Sequence, residues 1–114
     1  MKVLVCGGRD YNNYNRLCEY LDFLDDEIVV SEIIQGGAKG ADNLAKRWAD
    51  SKGIPTQTFN ADWQRHGNGA GPIRNQEMLD VAKPDIVIAF KGGTGTADMV
   101  TRSKFEGLEV REVI

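Results

Sequence analysis

The sequence predicts an α/β fold: a single Rossmann-like, three-layer domain with a mostly parallel five-stranded sheet in the order 3-2-1-4-5 and helices on both faces. Short apolar runs alternate with segments of helical apolar spacing, in the order β-α-β-α-β-α-β-α-β. Right-handed crossovers leave few topologies for that order, and the chosen one makes the first and fourth strands neighbours. Glycine turns follow three of the apolar runs, which places them at the sheet edge where open α/β sheets bind ligands.

Each predicted element follows from its local pattern. Apolar runs predict strands at residues 2–6, 31–35, 55–59, 85–90 and 108–114, and helical spacing predicts helices at about 14–27, 41–52 and 72–82, with a fourth from near Thr96. Gly53 suits the C-terminal cap of the second helix, and Pro72 suits the first turn of the third. Residues 60–71 contain three glycines and the only histidine, so we expect a long irregular loop there, and such loops are often functional.

The composition narrows the class of protein. The 114 residues, 41% of them hydrophobic and 27% charged, predict one domain spanning residues 1–114. A net charge of −3 argues against duplex nucleic acid as a partner. No apolar run approaches the roughly 20 residues of a membrane span, and no signal peptide is recognisable, so we expect a cytoplasmic protein without a membrane partner. Cys6 and Cys18 lack metal-ligand spacing; we expect reduced thiols, no metal and no cofactor.

Three glycine turns point to the capture of a phosphate group. Glycines let a backbone approach an anion closely, and the first N–H groups of a following helix point at it. Tight packing also explains a single Gly-Gly turn, and neither a Walker A loop nor a GxGxxG fingerprint is present. The prediction therefore depends on the three turns converging on one nucleotide-sized site. The predicted ligand-binding residues in these turns are Gly7, Gly8, Arg9, Gly36, Gly37, Lys39, Gly40, Asp42, Gly92, Gly93, Thr94, Gly95 and Thr96.

Three further side chains are candidates for ligand contact. Trp63 either stacks on a base or anchors its loop on the core, since aromatic faces serve both purposes. Arg74 either binds a phosphate or carboxylate in bidentate fashion or is a solvated surface arginine, and Asn75 shares its helical turn. Arg9 either contacts the ligand or holds its loop together with Asp10. Together, Arg9 and Trp63 are assigned to the ribose and base end of the site.

The polar residues near the third and fourth helices have two interpretations each. Thr96 donates its hydroxyl group to a phosphate, or caps the fourth helix, or does both. Asp98 and Glu77 suit the helix dipole in a first turn, and as carboxylates they are also the candidate catalytic groups. His66 is explained by a solvated position on a polar loop, and no Ser/His/Asp or Cys/His set can be assigned from order alone.

Together these segments resemble a known family. The residues that carry the resemblance are, in order, Cys6–Asp10, Gly36–Asp42, Trp63, Gly71–Asn75 and Gly92–Met99. In that order they look like the YspA/YpsA-related branch of the SLOG superfamily, formerly a domain of unknown function, whose members occur in bacteria and their phages. The resemblance covers almost the whole chain and implies a Rossmann-like fold.

The resemblance also implies a nucleotide-related function. The superfamily includes the lonely guy enzymes, which remove the base from nucleoside 5′-monophosphates, DNA-processing protein A, which binds single-stranded DNA, and predicted sensors of nucleotide-derived signals. The enzymes carry a PGGxGTxxE motif with a catalytic glutamate. Here Lys91 stands at the proline and Met99 at the glutamate, so the phosphate-binding part is retained and the acid is not, unless Asp98 or Glu77 replaces it. Dimers among related enzymes imply a homodimer.

Three hypotheses follow, in order of preference. The first is a sensor or sequestering protein that binds a nucleotide or ADP-ribose-like ligand with a phosphorylated ribose. The second is a nucleoside-monophosphate N-glycosidase (phosphoribohydrolase), in which a carboxylate stabilises positive charge on the ribose ring. The third, single-stranded DNA binding, requires a basic groove with several stacking aromatic residues, which the acidic balance and two tryptophans do not favour.

Overall fold

The computed structural model describes residues 1–114 and contains one sheet of five parallel strands. The strands are β1 (Lys2–Cys6), β2 (Glu32–Gln35), β3 (Thr56–Thr58), β4 (Ile86–Ala89) and β5 (Glu109–Glu112). Their order is β3-β2-β1-β4-β5, so the predicted fold class and strand order are confirmed. Central strand β1 pairs with β2 on one side, Val3 opposite Ile33, and with β4 on the other, Val3 opposite Ile86.

Five α-helices connect the strands. They are α1 (Tyr14–Ile28), α2 (Ala41–Lys52), α3 (Trp63–His66), α4 (Ala70–Glu77) and α5 (Thr94–Phe105). Gly53 ends α2 in the left-handed conformation, and its N–H donates to the carbonyl groups of Ala49 and Asp50, as the sequence predicts. None of these helices combines the length and hydrophobicity that a membrane-spanning segment needs.

Alternate side chains of the strands build a hydrophobic core on each face of the sheet. Val3 and Val5 of β1 belong to a cluster with α1 and α2, which contains the fully buried Trp48. Leu4 and Cys6 belong to a second cluster with the segment after α4 and with α5. Because side chains alternate along a strand, the buried pattern of β1 requires helices on both faces.

The predicted irregular loop at residues 60–71 is wrong. The chain forms the short helix α3, then one 3₁₀ turn at Gly67–Gly69, and enters α4 directly at Ala70. Asp62 caps α3 by accepting a hydrogen bond from the N–H of Arg65 at 3.1 Å. A four-residue helix followed by a glycine turn is too short to produce a hydrophobic period, so composition alone indicated a loop.

Two helix starts also differ from the prediction. The third predicted helix begins at Ala70 rather than Pro72, and it ends in a π-helical turn, Met78–Ala82. Helix α5 begins at Thr94 rather than near Thr96, because Gly93 and not a threonine occupies the N-cap position. The sequence argument favoured the hydroxyl side chain that most often caps helices. Thr94, Gly95 and Thr96 therefore form the first helical turn.

Candidate functional site

A cleft of about 1070 Å³ opens where β1 and β4 end, at the switch point of the sheet. Its walls are formed by the first glycine turn (Cys6–Asp10), the third glycine turn (Lys91–Thr96), the N-terminus of α2, and residues of α3 and α4. Thirteen of the residues singled out from the sequence line it: Gly7, Gly8, Arg9, Asp42, Trp63, Arg74, Asn75, Gly92, Gly93, Thr94, Gly95, Thr96 and Asp98. Segments far apart in the chain thus meet at one cleft.

The first glycine turn touches each of the other two directly, the second turn being Gln35–Asp42. The N–H of Gly8 donates to the carbonyl oxygen of Lys91 at 2.9 Å, which joins the first turn to the third. The carbonyl oxygen of Gly8 accepts from the N–H of Ala41 at 3.2 Å, which joins the first turn to the start of α2. Gly8 therefore lies at the centre of the three turns.

Most glycines of these turns are required by packing. A Cβ atom at Gly7 would lie 2.5 Å from the Cβ of Ala41, and one at Gly92 would lie 2.1 Å from the Oγ1 of Thr96. Gly40 has a φ of +78°, and a Cβ there would lie 2.1 Å from the carbonyl oxygen of Gly8. A close contact of this kind or a positive φ makes any side chain at these positions energetically unfavourable. The turn residues that do not line the cleft are Gly36, Gly37, Lys39 and Gly40.

Gly93 and Gly95 differ from the other turn glycines, because a Cβ at either position would meet nothing within 4 Å. Both line the cleft. Packing within the protein therefore does not explain them. They leave free space beside the backbone at the start of α5.

The N-terminus of α5 is exposed to the cleft and lacks a side-chain cap. The first N–H groups of a helix have no partner within the helix, and the helix dipole adds partial positive charge there. Lys91, which also lines the cleft, is exposed and forms none of the salt bridges. An anion is the ligand that this arrangement favours.

The N-terminus of α2 is occupied by groups of the protein itself. The N–H of Ala41 donates to Gly8, and the Oδ2 atom of Asp42 accepts from the N–H of Ala38 at 3.3 Å. Asp42 is 6% exposed, and its burial raises the pKa of its carboxyl group. The hydrogen bond from Ala38 and the nearby arginines lower the pKa, and the net value is about 6. The second glycine turn thus already surrounds a carboxylate.

Arg74 and Asn75 connect the second turn to α5. The Nη1 atom of Arg74 donates to the carbonyl oxygen of Gly36 at 2.6 Å, and its Nε atom donates to Asn75 Oδ1 at 3.0 Å. Asn75, 3% exposed, donates from Nδ2 to the carbonyl oxygen of Gly95 at 3.2 Å and to Asp98 Oδ2 at 3.0 Å. No protein hydrogen bond uses Nη2 of Arg74, so this atom is the part of the guanidinium that remains for a ligand.

The two candidate catalytic carboxylates lie in different places. Asp98 lines the cleft; burial raises the pKa of its carboxyl group, but hydrogen bonds from Arg102 and Asn75 outweigh that effect and hold it below its usual value. Asp98 is therefore ionised at neutral pH. Glu77 lies outside the cleft, on a separate pocket of about 450 Å³ between α4 and α5. Met99, at the position of the glutamate in the enzyme motif, is 1% exposed and lies in the core.

Trp63 and Arg9, which both line the cleft, contact each other. The guanidinium carbon of Arg9 lies 5.4 Å from the centroid of the Trp63 ring, within the range of a cation–π interaction. Trp63 is 48% exposed, and a Cβ at Gly71 would lie 3.6 Å from its ring. The indole thus lies beside α4, belongs to neither hydrophobic cluster, and presents surface to the cleft. His66, by contrast, does not line the cleft.

Sequence reasoning missed four polar residues that line the cleft: Asn12, Asn13, Asn68 and Lys91. Asn13 also caps α1 by accepting a hydrogen bond from the N–H of Arg16 at 3.0 Å. Asn12 and Asn13 follow Gly8 within five residues, and Lys91 is the first residue of the third glycine turn. Their proximity to turns already assigned to the site was the signal that could have identified them.

Comparisons with known proteins give a consistent assignment. The model of the YspA, cpYpsA-related SLOG family matches residues 1–66, which include the first two glycine turns. The chain is also similar to the gene 61 protein of Mycobacterium phage D29, with 32% identity over 120 residues, covering 96% of this chain and 93% of that protein. The family model spans more than half of the chain and the phage relative aligns with nearly all of it. The chain therefore belongs to the YspA, cpYpsA-related SLOG family.

Proposed function

We propose that the cleft binds a nucleotide or nucleotide-derived ligand, with a phosphate group at the N-terminus of α5. The observation that carries this proposal is the uncapped first turn of α5, Thr94–Thr96, which opens into the cleft beside two glycines with free space around them. Backbone N–H groups and the helix dipole favour a phosphate there without any further basic cluster.

Trp63 and Arg9, which also line the cleft, suit the rest of such a ligand. Trp63 offers an aromatic face, and the guanidinium of Arg9 lies against that face. The volume of about 1070 Å³ exceeds what a single phosphate needs and is sufficient for a nucleotide. Membership of the YspA, cpYpsA-related SLOG family agrees with a nucleotide-related ligand. If the ligand is bound without turnover, the protein is a sensor or a sequestering protein.

Calorimetric titration with a panel of nucleoside mono- and diphosphates, ADP-ribose and NAD tests the proposal. We expect at least one of them to bind and the matching nucleoside without phosphate to bind much more weakly, because the phosphate provides the contacts with α5. The nucleoside is the matched control for binding through the base alone. Absence of heat from the whole panel, or equal affinity for a nucleotide and its nucleoside, would contradict the proposal.

N-glycosidase activity is a second candidate, because Asp98 faces the cleft and is ionised at neutral pH. A carboxylate near the ribose ring stabilises the positive charge that develops as the base departs. Against this, the position of the motif glutamate holds the buried Met99. Incubation with nucleoside monophosphates, followed by chromatography for free base, decides between binding and hydrolysis. Base release that disappears in Asp98→Asn would establish the enzyme, and no release would leave a binding protein.

A further inference from the structure

A buried carboxylate lies in the wall of the cleft without a cation in contact with it. Asp42 is 6% exposed and lines the cleft. Its Oδ2 atom accepts one hydrogen bond, at 3.3 Å, from the N–H of Ala38, and it takes part in none of the salt bridges of the molecule. Ionisation of such a group is opposed by the loss of its hydration.

The groups that face Asp42 compensate its charge only in part. Arg74 of α4 and Arg9 of the first turn are the nearby cations, and both act to lower the pKa of Asp42. The Nη1 atom of Arg74 donates a hydrogen bond to the carbonyl oxygen of Gly36 rather than to Asp42. Cys6 of β1 is uncharged, because burial raises the pKa of its thiol to about 12. The balance of these effects leaves the pKa of Asp42 at about 6, within the range where small changes in local charge shift its protonation.

Asp42 and the start of α5 belong to the same network of turns. The N–H of Ala41, next to Asp42, donates to Gly8, and the N–H of Gly8 donates to Lys91, two residues before the N-cap of α5. A phosphate bound at α5 would therefore place negative charge in the same cleft as the Asp42 carboxylate. Negative charge nearby favours the protonated form of an acid.

Building on the proposed function, we propose that Asp42 couples anion binding in the cleft to the uptake of a proton. Because coupling between two sites is reciprocal, an anion that favours protonation of Asp42 is itself bound more tightly when Asp42 is protonated. The affinity of the cleft for an anion therefore increases as the pH falls through the range in which Asp42 titrates. Asp42 in this way makes the anion affinity of the cleft depend on pH.

Sulfate is a suitable probe, because its charge is constant over the pH range of interest, whereas the second ionisation of a phosphate monoester lies near pH 6. The measurement is the shift of the backbone amide resonances of Thr94, Gly95 and Thr96 during a sulfate titration at about pH 5.5 and about pH 8. An increase of about one unit in the pKa of Asp42 on binding corresponds to roughly five- to tenfold tighter binding at the lower pH. We expect a change of that size.

Three variants identify the titrating group. Asp42→Asn keeps an acceptor for the N–H of Ala38 and should bind sulfate at both pH values about as tightly as the unmodified protein does at the lower one. Asp10→Asn removes an exposed carboxylate from the same cleft and should leave the pH dependence in place. His66→Gln removes the only histidine, which does not line the cleft, and should also retain it. The amide spectrum of each variant reports whether it is folded.

The outcomes separate this inference from the proposed function. Binding of equal strength at both pH values, or a pH dependence that persists in Asp42→Asn, would overturn the coupling and leave the anion site in place. Absence of sulfate-induced shifts at Thr94–Thr96 at both pH values would overturn the anion site itself, and the coupling with it. A pH dependence lost in Asp42→Asn and retained in both controls would establish Asp42 as the coupled group.

Discussion

Gly40→Ala is expected to destabilise the protein by about 3–5 kcal/mol, a large part of the stability of a small domain. Two costs combine at this position. The φ of +78° is unfavourable for alanine, and the added Cβ would lie 2.1 Å from the carbonyl oxygen of Gly8 and 2.6 Å from that of Arg9. Backbone atoms cannot rotate away as a flexible side chain would. Urea denaturation followed by circular dichroism measures the loss of the free energy of unfolding.

Gly53→Ala is the matched control, because Gly53 lies at the other end of the same helix. Its φ is +70°, but a Cβ there would meet nothing within 4 Å. Only the cost of the left-handed backbone conformation remains, so we expect the free energy of unfolding to fall by about 1–2 kcal/mol. Gly40 also differs from Gly53 in ψ, which is −131° against +24°. Equal losses in the two variants would mean that neither this backbone conformation nor the contact of the second turn with the first constrains Gly40.

Gly95→Ala is expected to change stability and ligand affinity in opposite directions. Alanine is a better helix former than glycine, and a Cβ at this position meets nothing, so the free energy of unfolding should rise by about 0.5–1 kcal/mol. The same methyl group would take up space beside the α5 N–H groups where the phosphate approaches. One misplaced methyl group in a site costs about 1–3 kcal/mol, or roughly ten- to hundredfold in affinity. Calorimetry with the tightest nucleotide of the panel gives the affinity.

Gly69→Ala controls for a general effect of replacing glycine near the cleft. Gly69 does not line the cleft, and a Cβ there would lie an ordinary 3.9 Å from Ile73 Cδ1. Its affinity for the nucleotide should match that of the unmodified protein. Unchanged affinity in Gly95→Ala would show that the ligand does not approach the backbone of α5.

The sequence was sufficient to predict the sheet and the meeting of the first and third glycine turns. The central strand β1 is apolar on both faces, which requires helices on both sides, and right-handed crossovers then limit the strand order. That order places the turns after β1 and β4 side by side, where Gly8 donates to Lys91. These conclusions depend on periodicity and chirality, which a single sequence contains.

The roles of the individual glycines were not predictable in the same way. Gly36 lies against a guanidinium 38 residues away in the chain, whereas a Cβ at Gly95 would meet nothing within 4 Å, and their local sequences do not distinguish them. The bridge that Asn75 forms between Arg74 and Asp98 likewise depends on the packing of α4 on α5. Short-range pattern indicates where a chain turns, but long-range contacts decide which turn residues face the protein and which face a ligand.

A crystal structure of the protein with the nucleotide that gives the largest heat in the calorimetric panel tests the central claim most directly. The predicted result is a phosphate group whose oxygens accept hydrogen bonds from the backbone N–H groups of Thr94, Gly95 and Thr96, with the remainder of the ligand between α5 and Trp63. A nucleotide bound elsewhere on the molecule, or bound in the cleft with its phosphate away from the first turn of α5, would contradict the assignment.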